Sequence, residues 1–253
     1  MQRVDILLTE KGLAQSRTQA QRLLKEGKVF IQSGQNWQLI SKPGLKLDPD
    51  AEFKVETDEA DQYASRGALK LLAGLQQSGL RLQGKVAIDV GQSTGGFTDC
   101  LLQAGIAKVV GIEVGHDQLI ARLRQDPRVR CFEGINGRDL PAELLRAECH
   151  PDGFDLAVMD VSFISQTKIL PSLAPLLRPG ASLISLVKPQ FEVGKAGIGR
   201  GGIVRDSSLY SVVEKTIRES CQTLGLEVQD YFESPITGGD GNREFLIIAR
   251  SAC

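Results

Sequence analysis

Five near-continuous apolar segments, KVAIDV, KVVGIEV, RVRCF, FDLAVMDV and ASLISLV, recur between residues 85 and 187, and helical stretches separate them. A strand wetted on one face alternates apolar with polar residues. These do not, so both of their faces must be covered, which is the signature of a parallel sheet under helices. The helical stretches begin near Phe97, Asp117, Leu140 and Ser165. After a further helix, SSLYSVVEKTIRESCQTLG, come LEVQDYFES and REFLIIAR, separated only by the turn-rich PITGGDGN. So short a link predicts an antiparallel hairpin at the sheet edge. The expected class is α/β: a Rossmann-like, mostly parallel sheet with an antiparallel last strand. A chain of 253 residues is long enough for this domain and a second, smaller one.

The first strand runs into DVGQSTGGFTDCLLQAG, residues 89–105, a glycine-rich turn that opens a helix. Such a turn can seat a dinucleotide, a nucleoside triphosphate or S-adenosylmethionine. The dinucleotide fingerprint G-x-G-x-x-G lacks its second glycine here, because Gln92 and Ser93 follow Gly91, and no G-K-[ST] follows Gly95 and Gly96. What remains is an acid at the strand end, Asp89, and glycines that let backbone approach a ligand. Twenty-four residues on, Glu113 ends the second strand, where a carboxylate can accept hydrogen bonds from ribose hydroxyls. Without phosphates to neutralise, no cation is needed, and this suits adenosylmethionine. Another nucleotide and a purely structural turn remain open. Candidate ligand contacts are Asp89, Gly91, Ser93, Thr94, Gly95, Gly96, Phe97, Glu113 and Val114. Asn136, in EGINGRDL after the third strand, is either an adenine contact or part of a simple turn.

Ligands of open parallel sheets bind at the carboxyl ends of the strands. Asp160 ends the fourth strand and Lys188 the fifth, while Glu244 begins the last. Because that strand is expected to run antiparallel, its beginning lies at the same edge. Lys70, in SRGALKL on the helix leading into the domain, could complete the set. Ser162 and Phe163 could shape the donor pocket or simply start a helix and fill core. The glycine-rich stretch Glu192 to Arg205, with Lys195, Arg200 and Arg205, reads as a mobile lid that grips an anionic substrate or as a solvated loop. His116 and His150 have no partners at metal-ligand spacing, and both are expected at the surface.

The amino-terminal part differs in charge. Between residues 3 and 46 lie eight basic side chains (Arg3, Lys11, Arg17, Arg22, Lys25, Lys28, Lys42 and Lys46) against Asp5, Glu10 and Glu26, a surplus of five. The next stretch, LDPDAEFKVETDEADQ, is acidic, and the whole chain carries a net charge of only -1. The basic character is therefore a local feature, either a solvated face or a binding surface. RVDILLTEKGL predicts a helix closed by Gly12, and SRTQAQRLLKEGKV a second one capped by Ser16, with Ala20, Leu23 and Leu24 on its apolar face. GKVFIQ and AEFKVET read as strands, with SKPGLKL between them.

The five scattered cysteines (Cys100, Cys131, Cys149, Cys221 and Cys253) form no C-x-x-C pair, which argues against a disulfide framework or zinc site and fits a reducing cytoplasm. No signal peptide is evident, and no apolar run reaches the ~18 residues that a bilayer requires.

Taken with its motifs, the chain resembles known families from end to end. Two short helices and a small sheet bearing S-R-x-x-A-x-x-L-L-K-x-G-K-V resemble the alpha-L RNA-binding module. Lys70, Asp160, Lys188 and Glu244 resemble the Lys-Asp-Lys-Glu tetrad of FtsJ-like ribose 2'-O-methyltransferases. With YASRGALKL, KPQFEVG and GNREF added, the whole chain is similar to the TlyA family. Gln92 and Glu113 stand where that pattern has alanine and aspartate, and SRGALKL replaces the commoner SRGGLKL. The resemblance implies an alpha-L domain over 1–58, a linker over 59–66 and a methyltransferase domain over 67–253. It also implies adenosylmethionine as cofactor, no metal, and a cytidine ribose of ribosomal RNA or a ribosomal subunit as substrate. Lys188 would contact the 2'-hydroxyl, as base or as orienting cation, with Asp160 and Glu244 positioning the lysines. RNA would be held by Arg3, Arg17, Arg22, Lys25, Lys28, Arg66, Lys195, Arg200 and Arg205. The short start before the first helix is the expectation behind large-subunit RNA as target. The rival readings are an assembly factor with an inert transferase domain, a membrane-active haemolysin and a nicotinamide oxidoreductase.

Overall fold

Where both faces of a strand must be dry, β-branched and other apolar residues fill nearly every position. The central strands of the computed structural model, which describes residues 1–252, follow this rule. The chain divides between Arg66 and Gly67 into two units. In the first, β1 (Gln2–Arg3) leads directly into α1 (Val4–Glu10), whose Val4, Leu7 and Leu8 are buried. Gly12 then adopts the left-handed conformation (φ 70°) that ends the helix, as its position predicts. α2 (Arg17–Lys25) starts at Ser16, whose hydroxyl accepts the Gln19 N–H at 3.2 Å.

Ala20, Leu23 and Leu24 pack against Val4, Leu8, Val29 and Ile40. A three-stranded sheet completes this core, with β2 (Val29–Ser33) between β3 (Asn36–Ile40) and the later β5 (Phe53–Val55). β4 (Lys46–Leu47) pairs antiparallel with β1. Strand β3 is not legible in the pattern. The hairpin that makes it turns on Gly34 and Gln35 alone, with Ser33 opposite Asn36 and Gly34 at φ 62°. At the far end of the unit the 3-10 turn Glu59–Gln62 is tied back by Asp61, which accepts from Arg22 at 2.5 Å and from Lys28 at 2.8 Å.

In the second unit, α3 (Gly67–Ser78) precedes seven strands in one sheet. They are β6 (Val86–Val90), β7 (Lys108–Glu113), β8 (Val129–Glu133), β9 (Phe154–Met159), β10 (Leu177–Val187), β11 (Leu226–Glu233) and β12 (Phe245–Ser251). Their order is β11-β12-β10-β9-β6-β7-β8, with β12 antiparallel to both of its neighbours. The strand order reverses between β6 and β9, the crevice where open sheets take ligands. Every residue of β6 and of β9 is buried, Asp89 and Asp155 included, as their near-continuous apolar pattern leads one to expect.

Of the covering helices, α4 (Gly96–Gln103) and α9 (Leu209–Thr223) are regular; α5 (Ala121–Arg124) and α6 (Ala142–Arg146) are short. The helix expected from Asp117 thus begins four residues late, at Ala121. The one expected from Ser165 breaks into a 3-10 turn (Gln166–Lys168), α7 (Leu170–Leu173) and a second turn (Ala174–Leu176). Pro171 and Pro175 account for the breaks, since neither can donate the hydrogen bond that a continuous helix needs. α8 (Pro189–Glu192) follows β10. The cysteines within the described residues are free, and Cys253 lies outside them. No helix among the described residues is long and apolar enough to cross a membrane.

Contact between α3 and the sheet is close at one point. A β-carbon on Gly74 would lie 2.7 Å from Ile184 Cγ2, so the helix carrying Lys70 sits at a depth that only glycine permits. Gly74→Ala is expected to destabilise the fold by about 1–3 kcal/mol through overpacking, read as a lowered denaturation midpoint at unchanged m-value.

Candidate active site

The site is built at the carboxyl edge of the parallel strands. β9 and β10 deliver Asp160 and Lys188 from adjacent strands, and β12 delivers Glu244 one step beyond the paired Val187 and Phe245. The expected direction of the last strand is thus what brings the second acid to this edge. The four side chains form two ion pairs. Lys188 Nζ lies 2.5 Å from Asp160 Oδ1 and donates to Ser162 Oγ at 3.0 Å. Lys70 Nζ donates to Glu244 Oε2 at 2.5 Å. Both are largely dry, with side-chain exposures of 11% and 23% for the first pair and 10% and 3% for the second. An unpartnered charge at such a depth would be costly. Lys188 pairs with Asp160, and Glu244 with Lys70.

Asp160 also belongs to a cleft of about 590 Å³, a size suited to a small-molecule cofactor. Of the candidate ligand contacts, Gly91, Ser93, Glu113, Val114 and Asn136 line it together with Asp160. Asp89, Thr94, Gly95, Gly96 and Phe97 do not line it. Phe97 is buried in the core, and Gly95 (φ 96°) begins α4 where a β-carbon would strike Leu119 and Leu123. Gly91 is pressed against the neighbouring strand exit: a β-carbon there would lie 2.5 Å from the Asp160 carbonyl oxygen.

Glu113 organises the rim by accepting from the backbone N–H groups of Ser93 and Gly115, each at 2.8 Å. Gln118 lines the same rim and accepts from Ser93 Oγ at 3.2 Å. Sequence reasoning missed Gln118 because a helix was expected to start at Asp117. The charge of the wall fits adenosylmethionine, since Glu113 and Asp160 face a ligand whose sulfonium is positive. The narrow seat at Gly91 suits close backbone contact. Glu113 and Asn136 are the residues that would hold the nucleoside, and the Gly91–Ser93 turn the amino-acid end.

Asp89 stands behind this wall, fully buried, and accepts from Thr98 Oγ1 at 2.7 Å. Thr98 in turn accepts from Gln92 Nε2 at 2.8 Å. Gln92 is buried as well, so the departure from the family pattern is absorbed beneath the loop and not in the cleft.

Phe163 stands at the cleft, as one of its two expectations has it, and not in the core. It is 90% exposed at a positive φ of 65°, lines the cleft, and meets Phe191 with ring centroids 5.2 Å apart. A non-glycine residue held there is strained, and such strain collects at functional sites. Glu192 pins this corner, accepting from Ser165 Oγ at 2.5 Å and from Gln166 N at 2.9 Å.

Among the proposed RNA contacts, Arg17, Lys25, Arg66, Lys195, Arg200 and Arg205 are exposed. Arg22 and Lys28 are engaged by Asp61, and both Arg3 and the exposed Arg17 by Asp5. His150 meets Asp155 at 3.1 Å. No group of three or more potential metal ligands gathers among the described residues.

Burial pushes the Asp89 carboxyl up from the usual 3.8 to about 7; the Thr98 hydrogen bond opposes this, and the charges of Asp160 and Glu113 add to it. The folded chain therefore binds this proton more tightly than the unfolded one. Its contribution to stability is complete below about pH 4 and is lost as the pH rises through about 7. Denaturant midpoints measured from about pH 4 to 8 should fall across this window for the native chain, and Asp89→Asn should flatten the slope.

Comparison with known proteins agrees with this geometry. The sequence pattern of the FtsJ-like methyltransferases matches residues 63–251, and that of the S4 domain residues 2–53. The Bacillus subtilis protein YqxC is 42% identical over 97% of this chain and 84% of its own length. The 16S/23S rRNA (cytidine-2'-O)-methyltransferase TlyA of Mycobacterium tuberculosis is 39% identical over 98% of this chain and 90% of its own. A solved structure from Streptococcus thermophilus that carries the name hemolysin is 40% identical, with a TM-score of 0.75, covering 99% of this chain and 88% of that one. The chain therefore belongs to the TlyA family of FtsJ-like methyltransferases, with an S4 domain at its amino terminus.

Proposed function

We propose that this protein transfers the methyl group of S-adenosylmethionine to the 2'-hydroxyl of a cytidine ribose in ribosomal RNA, with large-subunit RNA as the first target. The observation that carries this reading is the double role of Asp160, which lines the cleft and pairs with Lys188. It sets an amine that can address a hydroxyl beside a wall that can hold the donor. The activity named for the mycobacterial relative supports it, and that name includes 23S RNA. An rRNA substrate would also place the protein in the cytoplasm.

Bound adenosylmethionine would supply an electrophilic methyl group, so the protein must orient a hydroxyl that is un-ionised at neutral pH and accommodate the charge that develops on its oxygen. An ammonium has three N–H donors. Ser162 accepts one of those of Lys188 at 3.0 Å, and the Asp160 carboxylate balances its charge, so that the ammonium can still donate to the ribose oxygen. Lys188 thus acts as an orienting donor, and the proton leaving the hydroxyl is taken up by the Asp160 carboxylate, the unprotonated member of the pair. Lys70, fixed by Glu244, adds a second positive charge against the forming alkoxide. Phe163, exposed beside Phe191, is a platform on which the target base can stack. In the S4 domain, Lys25 and Arg17, the latter exposed beside Asp5, offer phosphate contacts that weaken with salt.

Ribose-methylation mapping of rRNA from cells with and without the protein should show one cytidine site lost on deletion. No lost site in either subunit refutes the reading. Lys188→Ala should lower methyl transfer by roughly 10²-fold or more while RNA binding stays near normal. Unchanged transfer refutes the role of Lys188. Phe163→Ala should lower kcat/KM for RNA by roughly tenfold, the loss expected for one stacked base.

A further inference from the structure

The stretch from Glu192 to Arg205, whose glycines suggest a mobile lid, folds back on itself. Ile198 and Val204 bridge antiparallel, Gly199 N donates to Ile203 O at 2.7 Å and Arg205 N to Gly197 O at 3.0 Å. The tip of this hairpin turns on Gly201 and Gly202, at φ 73° and 78°, and exposes Arg200. What holds it is a side chain about forty residues further on. Asn242, 2% exposed, donates from Nδ2 to Gly202 O at 3.0 Å and accepts at Oδ1 from Val204 N at 3.2 Å. One planar amide therefore serves both a carbonyl and an N–H of the hairpin, as a neighbouring strand would.

The other side of the same turn holds the active site. Gly238 N donates to Asn242 O and Gly241 N to Gly238 O, both at 2.9 Å. Two residues beyond Asn242, the Glu244 carboxylate crosses Gly238 so closely that a β-carbon there would lie 2.6 Å from Oε1. Its other oxygen holds Lys70. The turn 238–242 thus grips the arginine-bearing hairpin at one end and the buried Lys70–Glu244 pair at the other.

We propose that Asn242 is a positioning residue that fixes the Arg200 hairpin against the Glu244–Lys70 pair, so that RNA gripped by the hairpin is brought into register with the transferring centre. The inference rests on the ribose-methylation reading. An alanine at 242 would leave two backbone groups of the hairpin without partners. An aspartate would keep the Val204 bond but set a second acceptor against the Gly202 carbonyl.

The test is steady-state methyl transfer from tritiated adenosylmethionine to ribosomal subunits of cells lacking the protein. Calorimetric cofactor affinity and the thermal midpoint report folding. In Asn242→Ala, kcat should fall at least about tenfold with cofactor affinity unchanged. Asn242→Asp should fall between that variant and the native chain. Arg200→Ala should weaken the native enzyme yet add little in the Asn242→Ala background, because one clamp transmits both effects. Native kcat in either position-242 variant, or full additivity with Arg200→Ala, overturns the inference. Should Asn242→Ala fail to fold, Asn242→Asp combined with Arg200→Ala reads the same coupling. A native chain that methylates neither subunit refutes the ribose-methylation reading itself, whereas an active native chain with an indifferent position 242 removes this inference alone.

Discussion

Two ammonium groups and two carboxylates share one nearly dry edge of the sheet, and the rest of the second unit is arranged so that none of them is left alone. Lys188 has Asp160, and Lys70 has Glu244. In a medium that solvates charge poorly, removing either member of a pair strands the other, so the pairs are kept together by electrostatics as much as by packing. The strand order makes this possible: β9, β10 and β12 are neighbours, and the reversed direction of β12 puts its first residues where its neighbours end. A parallel strand in the same place would have sent Glu244 to the opposite edge. The depth of α3, set by Gly74 against Ile184, then decides how far Lys70 reaches.

The cofactor cleft and the transferring centre are one structure, because they share Asp160. Gly91 rests on the backbone of Asp160, and its N–H accepts no freedom either, donating to Ile112 O at 2.9 Å. A shift of the glycine turn would displace the strand exit that presents the acid to Lys188. The same economy holds at Glu113, whose two oxygens brace the Ser93 and Gly115 amides that form the rim.

Much of this was legible beforehand, for reasons that differ by element. β6 and β9 are buried on both faces, so their apolar runs could not be mistaken for half-wet strands. Asp160, Lys188 and Glu244 could be brought together from strand ends and one reversal of direction, without any side-chain detail. Which amine joins which acid could not, since that is decided by local packing within a shared edge. β3 was missed because NWQLI is short and places polar residues at Asn36 and Gln38, with Trp37 and Leu39 left exposed. The partners of Arg22 and Lys28 were missed because Asp61 lies more than thirty residues away, in a stretch read as linker. Asn242 looked like an ordinary turn residue, and only the distant hairpin reveals its use.

Gln92 shows how a departure from a family pattern is accommodated. Its amide occupies the space over Gly111, where a β-carbon would lie only 2.0 Å from the Gln92 side chain. A larger residue at 111 demands a smaller one at 92, and shortening 92 alone would open a void beside the buried Asp89–Thr98 bond. The two positions are thus coupled: a β-carbon at 111 requires the end of the Gln92 side chain to move or shorten, so a graft of the glycine turn onto another scaffold fits best when residue 111 travels with it.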